Sequence, residues 1–353
     1  MHLHKEQPMS NQSLVTEFLL MNFSETQELR ILHFLLFLVL YLATLTGNLL
    51  IISAVAFDHH LHTPMYFFLM NLAIIDLSSV SVIIPKSMAN ILMNSRHISY
   101  SGCVAQVFLL IFFVGFDFFL LTVMAYDRYV AICNPLHYQM VMNRKACTEM
   151  VALVCISSIL YGSLHTSGTF ATPFCSNIVN QFFCEIPHLL KLTCSDINEV
   201  EMGVLIVSVV FTLGCFVFVI VTYVYIFTAV LRIPSVQGRK KAFSTCLPHL
   251  IVFSTLVLSA CFAYLRPTSN APSYFDLAIT MIYSMVPPLL NPVIYSMRNK
   301  EIKIALSKLL GRKELVTDIC LAEFMEKILC ELLTLASSVL LDIELAYHVP
   351  SSM

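Results

Sequence analysis

MAYDRYVAIC, Met124 to Cys133, closes an apolar run that begins near Cys103. The run is long enough to cross a bilayer, which takes roughly 20 mostly apolar residues. It ends in an acid–base pair, Asp127-Arg128, set between Tyr126 and Tyr129. Ionised groups of this kind are costly at mid-membrane, so the pair belongs at a membrane edge. That reading makes Cys103 to Val130 a membrane span and asks how many others accompany it.

Composition answers in the same sense. The chain of 353 residues is 58% hydrophobic and 12% charged, with a mean hydropathy of +0.80. Ordinary soluble domains carry about twice that charged fraction. The net charge of -2 gives no electrostatic footprint for nucleic acid. Tryptophan is absent, so Tyr and Phe must populate the interfacial belts. Outward from the opening stretch, apolar segments predict six further spans: Leu29 to Phe57, Met65 to Ile84, Ala146 to Thr166, Glu199 to Leu231, Ala242 to Leu265 and Tyr274 to Met297. The expected fold is therefore an all-α membrane protein, a seven-transmembrane helix bundle. No secretory leader is read before the first span, which serves as its own signal anchor.

Seven spans place the termini on opposite sides. With the amino terminus outside, six Lys and Arg fall outside and fourteen inside, as the positive-inside rule requires. Two sequons, at Asn11 and Asn22, lie in the external tail. Cys103, Cys175, Cys184 and Cys194 fall in outward-facing segments, where disulfides form, and the residues alone leave three pairings open. The boundaries expected are a tail over 1–28, the receptor domain over 29–312 and an atypical cytoplasmic extension over 313–353.

Four polar residues sit deep in spans: Asn48, Asp76, Asp117 and Asn291. Two readings stay open, a hydrogen-bonded core that holds helices together and a site for a small cation such as Na⁺, since two close carboxylates are not both ionised cheaply. The seventh span ends PPLLNPVIYSM; Pro287, Pro288 and Pro292 each remove a backbone donor, which reads as a hinge or a static kink. Asp76 and Asp117 also raise the reading of an intramembrane aspartyl protease, but Gly115-Phe116-Asp117 is a fragment of such a motif and nothing else catalytic accompanies it. No internal repeat supports a transporter. The chain is expected not to be an enzyme.

MAYDRYVAIC resembles the signature of class II, or tetrapod-type, olfactory receptors within the rhodopsin-like G-protein-coupled receptors. LHTPMYFFL (Leu61 to Leu69), KAFSTC (Lys241 to Cys246) and NPVIY (Asn291 to Tyr295) match in order, and the likeness runs from Glu17 to Gly311. The resemblance implies a small volatile ligand bound outside, a heterotrimeric stimulatory G protein inside and cAMP as output, with a plasma-membrane location in olfactory cilia. A non-olfactory chemoreceptor of the same fold is the alternative. The resemblance implies that Asp127, Arg128 and Tyr129 form the switch, with Tyr223, Asn291, Pro292 and Tyr295 supporting it and Arg239, Lys240 and Lys241 facing the partner. It implies Cys103–Cys184 and Cys175–Cys194 as the disulfides. Three departures stand out: Leu256-Val257-Leu258 in place of the family's Phe-Tyr-Gly, Thr222-Tyr223 in place of Ser-Tyr, and the long tail. In the tail, Phe324, Ile328, Leu332 and Leu335 share a helical face, which reads as a membrane-surface helix with Cys320 or Cys330 acylated, or as unselected sequence.

The outer thirds of the third, fifth, sixth and seventh spans supply the expected odorant wall: Leu110, Ile111, Val114, Gly115, Val207, Phe211, Ala260, Tyr264, Thr280 and Ser284. Apolar walls with a few directing polar groups are usual for such sites. The set holds no Lys, Arg or acid, so a neutral or weakly polar ligand is expected.

Overall fold

The computed structural model describes residues 15–21, 26–194, 199–265, 284–295 and 299–309. The helices are α1 Gln27–Phe57, α2 Pro64–Leu92, α3 Tyr100–Cys133, the short α4 Tyr138–Val141, α5 Arg144–Ala171, the short α6 Ile186–Leu189, α7 Glu199–Leu231 and α8 Val236–Leu265. Residues 284–295 are helical (α9), and α10 is Lys300–Leu309. Among the described residues, six helices are long and apolar enough to cross a membrane: α1, α2, α3, α5, α7 and α8. The predicted seventh span is described only over residues 284–295. The sequons and the extension beyond residue 309 lie outside the described residues.

A bilayer satisfies no backbone groups, so an apolar chain crossing it must bond internally, and helix is the single-segment solution. Helix starts are written locally. Ser99 Oγ accepts from Gly102 N at 3.1 Å to open α3, and Asn143 Oδ1 accepts from Ala146 N at 3.0 Å to open α5. Pro64 occupies the first turn of α2, where its missing N–H is harmless. α2 continues eight residues past the predicted end at Ile84, through Pro85. It ends where Asn94 adopts a φ of 47°, a left-handed turn that Asn tolerates.

α3 is the central rod: it packs against α2, α5, α7 and α8. α7 turns exposed Val209, Val210, Leu213 and Val217 outward, the surface expected to meet lipid.

The outer cap contains what the sequence did not predict. Glu17–Leu19 (β1) pairs antiparallel with His97–Ser99 (β2), with Phe18 opposite Ile98. The same segment threads the lid between α5 and α7: Leu19 N donates to Asn177 O at 2.7 Å, Val179 N to Leu19 O at 2.8 Å and Met21 N to Gln181 O at 2.9 Å. Phe18 is fully buried, stacked against Tyr100 and edge-on to Phe174. Part of the stretch predicted as a tail is thus a structural strand. Cys103 is joined to Cys184, and Cys175 to Cys194, the pairings the family resemblance implied.

Candidate functional site

Three groups of side chains stack along the bundle. At the inner end of α3, Asp127 is 1% exposed and fully engaged. Arg128 Nε donates to Asp127 Oδ2 at 2.9 Å, and Arg128 Nη2 contacts the same oxygen. Tyr138 Oη donates to Asp127 Oδ1 at 2.8 Å. Tyr138 comes from α4, in the loop after α3, and its phenol is held above its ordinary pKa by burial first and by the adjacent carboxylate second. Sequence reading missed it; the signal was a Tyr eleven residues after a buried acid in a short polar loop. Tyr129 is half-buried beside Tyr126 and Tyr225. Arg239 and Lys240 occupy the first turn of α8, Arg239 half-buried and Lys240 exposed. Lys241 follows in the helix, its side chain outside the described set.

One turn deeper, Tyr223 on α7 bonds His249 Nδ1 on α8 at 2.7 Å, and His249 Nε2 bonds Leu121 O on α3 at 2.8 Å. A carbonyl only accepts, so Nε2 carries the proton and Nδ1 accepts from the tyrosine hydroxyl. One buried ring therefore ties three helices. His249 was not among the residues expected from the sequence, although an ionisable side chain inside a span is a functional signal by default. Above it the rings continue: His249 stacks on Phe253, and Phe253 on Phe216 and Phe118.

The middle group joins α1, α2 and α9. Asn291 Nδ2 donates to Asp76 Oδ2 at 2.8 Å. Asn48 Nδ2 donates to Thr44 O at 3.0 Å and to Pro288 O at 3.1 Å. Among the described residues, Asn48 Oδ1, Asp76 Oδ1 and Asp117 Oδ1 are buried without a hydrogen-bond partner. Buried acceptors of this kind suit a hard cation such as Na⁺ or ordered water. Pro292 and Tyr295 are buried on α9, and Tyr295 Oη has no partner among the described residues.

Outside these lies a cavity of about 140 Å³. α3 supplies Val107, Leu110, Ile111, Val114 and Asp117; α8 supplies Leu256 and Ala260; α9 supplies Ser284, Pro287 and Pro288; α2 supplies Ser79 and Ile83; the lid supplies residues 183–187. Five of the expected wall residues meet there: Leu110, Ile111, Val114, Ala260 and Ser284. Three do not. Gly115 turns toward α5, where an added Cβ would meet Tyr161 at 3.4 Å. Val207 and Phe211 are 64% and 50% exposed on α7, Phe211 touching the bundle through Phe119. The Tyr264 side chain and Thr280 lie outside the described residues. The wall expected from the sequence included neither the lid residues nor Asp117, which had been read only as a deep polar group. Residues 107, 110, 114 and 117 recur at the helical period, so the stripe was present to be read; the lid contacts carry no such period.

Glu185 in the lid is paired with His188 Nδ1 at 2.6 Å, both side chains largely buried.

The olfactory receptor family profile matches residues 37–313. The chain is 49% identical over 307 residues to human olfactory receptor 14A16, covering 86% of this chain and 99% of that one. It is 48% identical over 305 residues to human olfactory receptor 14C36, covering 86% and 98%. Its fold resembles that of squid rhodopsin, with a TM-score of 0.65 at 15% identity over 86% of this chain and 91% of that one.

Proposed function

The chain belongs to the olfactory receptor family of G-protein-coupled receptors, and from that premise we propose that small odorants enter the outer cavity and bias the Asp127–Arg128 lock at the other end of the bundle. The protein is a multi-pass membrane receptor, not an enzyme. The proposed orientation puts the amino terminus outside and α10 inside, at the plasma membrane of olfactory cilia, with a stimulatory G protein as partner and cAMP as output.

One observation carries the reading: a single rod, α3, forms a wall of the cavity through residues 107–117 and holds the lock at Asp127–Arg128. Arg128 is held by Asp127, the arrangement of an inactive receptor. Ligand bound preferentially to a shifted α3–α8 packing would favour release of the arginine, since a ligand shifts a two-state equilibrium only by its difference in affinity for the two states. The usual tyrosine of the sixth span is replaced here by Val257. The proposed relay runs instead from Leu256 at the cavity through Phe253 and His249 to Tyr223. Na⁺, where bound, would lie among Asn48, Asp76, Asp117 and Asn291, neutralise the paired carboxylates and hold the resting packing. The freed Arg128 would then face Tyr223, Tyr295 and the docked partner, with Arg239, Lys240 and Lys241 at the rim.

The test is a cAMP reporter in cells with verified surface receptor, screened against a chemically diverse odorant panel. Agonists are expected for wild type. Arg128→Ala should abolish the response while surface staining persists; a fully responsive variant would refute the coupling role.

A further inference from the structure

The roof of the cavity is a piece of lid, Phe183 to Pro187, and its hold on the bundle rests on a residue outside the lining. Gln106, beside Val107 on α3, is 5% exposed and uses both halves of its amide. Its Oε1 accepts from Cys184 N at 2.9 Å, and its Nε2 donates to Val82 O on α2 at 3.2 Å. A backbone N–H only donates and a carbonyl only accepts, so this orientation of the amide is the one that satisfies both. One side chain thus ties α2, α3 and the lid. Cys184 is also bonded through sulfur to Cys103, one turn earlier on α3. That tether runs through a series of single bonds, each with several staggered positions. It fixes where the lid is attached, and the backbone bond to Gln106 fixes which way the segment faces. Ser87 Oγ on α2 reaches Phe182 O at 3.4 Å, a longer contact shared with Ile83 O at 3.0 Å. The short, fully buried tie to the lid backbone is therefore the one made by Gln106.

We propose that Gln106 is a positioning residue for ligand selection: by holding the Cys184 backbone it sets the height of the roof, and with it the longest odorant the receptor accepts. This rests on the cavity being the odorant site. The walls and inner end of the cavity are built from α2, α3, α8 and α9, so the roof is the part whose position hangs on one side chain. An apolar cavity measures a ligand by its volume, since overfilling forces its neighbours to shift. Without the Gln106 amide the Cys184 N–H loses its acceptor. Cys184 is fully buried, and a buried donor left unpaired is costly enough to turn the backbone toward another acceptor. Phe183 and Ile186, which face the cavity on either side of it, would move with it and raise the roof.

The test uses the full receptor in the cAMP assay and a homologous series: the strongest agonist found by screening, with its alkyl chain lengthened carbon by carbon. Wild type should lose roughly tenfold or more in potency for each carbon past a limit. Gln106→Met keeps the unbranched shape and removes both hydrogen bonds. Its limit should rise by about two carbons, with the compounds just past the wild-type limit gaining roughly tenfold. Gln106→Glu, whose carboxyl still accepts from Cys184 N, should keep the wild-type limit. If Gln106→Met stays inside the cell, Gln106→Glu carries the test alone, and a moved limit in that variant would overturn the proposal. So would a wild-type receptor without a length limit, or a Gln106→Met receptor at the surface with the limit unchanged. Potencies that fall by one factor across the whole series would likewise overturn it, because that marks a residue that only supports the fold. Silence of wild type toward every odorant at verified surface expression would instead sink the odorant reading itself.

Discussion

Asp127 sits at 1% exposure with both carboxylate oxygens occupied. A buried charge of this kind is tolerated only while its partners remain, since removing one leaves an uncompensated group. Tyr138→Phe removes one of them, and loss of a bond to a buried charged group typically costs about 1–3 kcal/mol. That destabilises the locked state in particular, so agonist-free cAMP should rise at matched surface density; an unchanged baseline would show that Tyr138 does not hold the lock. The Asp127–Arg128 pair was plain in the sequence because acid, base and flanking tyrosines are adjacent in the chain. Tyr138 and His249 were not, because each acts on a residue brought to it only by folding: Tyr138 across a loop, His249 across two helix interfaces.

At the scale of the element, α10 shows how a short helix is fixed to the inner rim. Asn299 Oδ1 caps it by accepting from Glu301 N at 3.0 Å. Ile302, Ala305 and Leu306 bury its apolar face. Two polar ties then set its bearing: Tyr66 Oη donates to Glu301 Oε2 at 2.6 Å, and Lys308 Nζ donates to Asp58 Oδ2 at 3.0 Å, at the end of α1. Lys308 foremost, then the His60 backbone and ring, holds the Asp58 carboxyl well below the usual carboxylate range. A depressed acid contributes its stabilisation above the ordinary carboxylate range and loses it only as pH falls through the lowered value. Docking of α10 against α1 should therefore be unchanged between about pH 8 and pH 5, as read by spin-label distances between the two helices. Asp58→Lys should loosen it, and the double exchange Asp58→Lys with Lys308→Asp should restore it; failure of the exchange would mean the apolar face alone sets the position. Helix identities and most ends were legible from hydropathy and caps. The facing of α7 was not: it is apolar all round, so no moment separates the lipid side from the bundle side, and Val207 and Phe211 were assigned inward when they point out.

At the scale of the whole molecule, the outer cap is stitched from three distant parts of the chain: residues 15–21, the turn at His97–Ser99 and the lid from residue 173 to 194. Long-range strand pairing leaves little trace in local sequence, which explains why this region was read as tail and loop. Phe18 is its keystone. Phe18→Ala should cost about 3–5 kcal/mol, the usual range for a fully buried Phe, and should lower the thermal stability of purified receptor; a variant as stable as wild type would show that the strand is ornamental. There is also a consequence in time. Leu19 leaves the ribosome long before Asn177 and Val179, with which it shares backbone bonds. This strand can pair with His97–Ser99 as soon as that segment is made, but its bonds to the lid must wait until more than a hundred and fifty further residues have been translated. Maturation of this protein should thus be gated late, and chaperones of the secretory pathway should hold the nascent chain until its first strand finds its last neighbour.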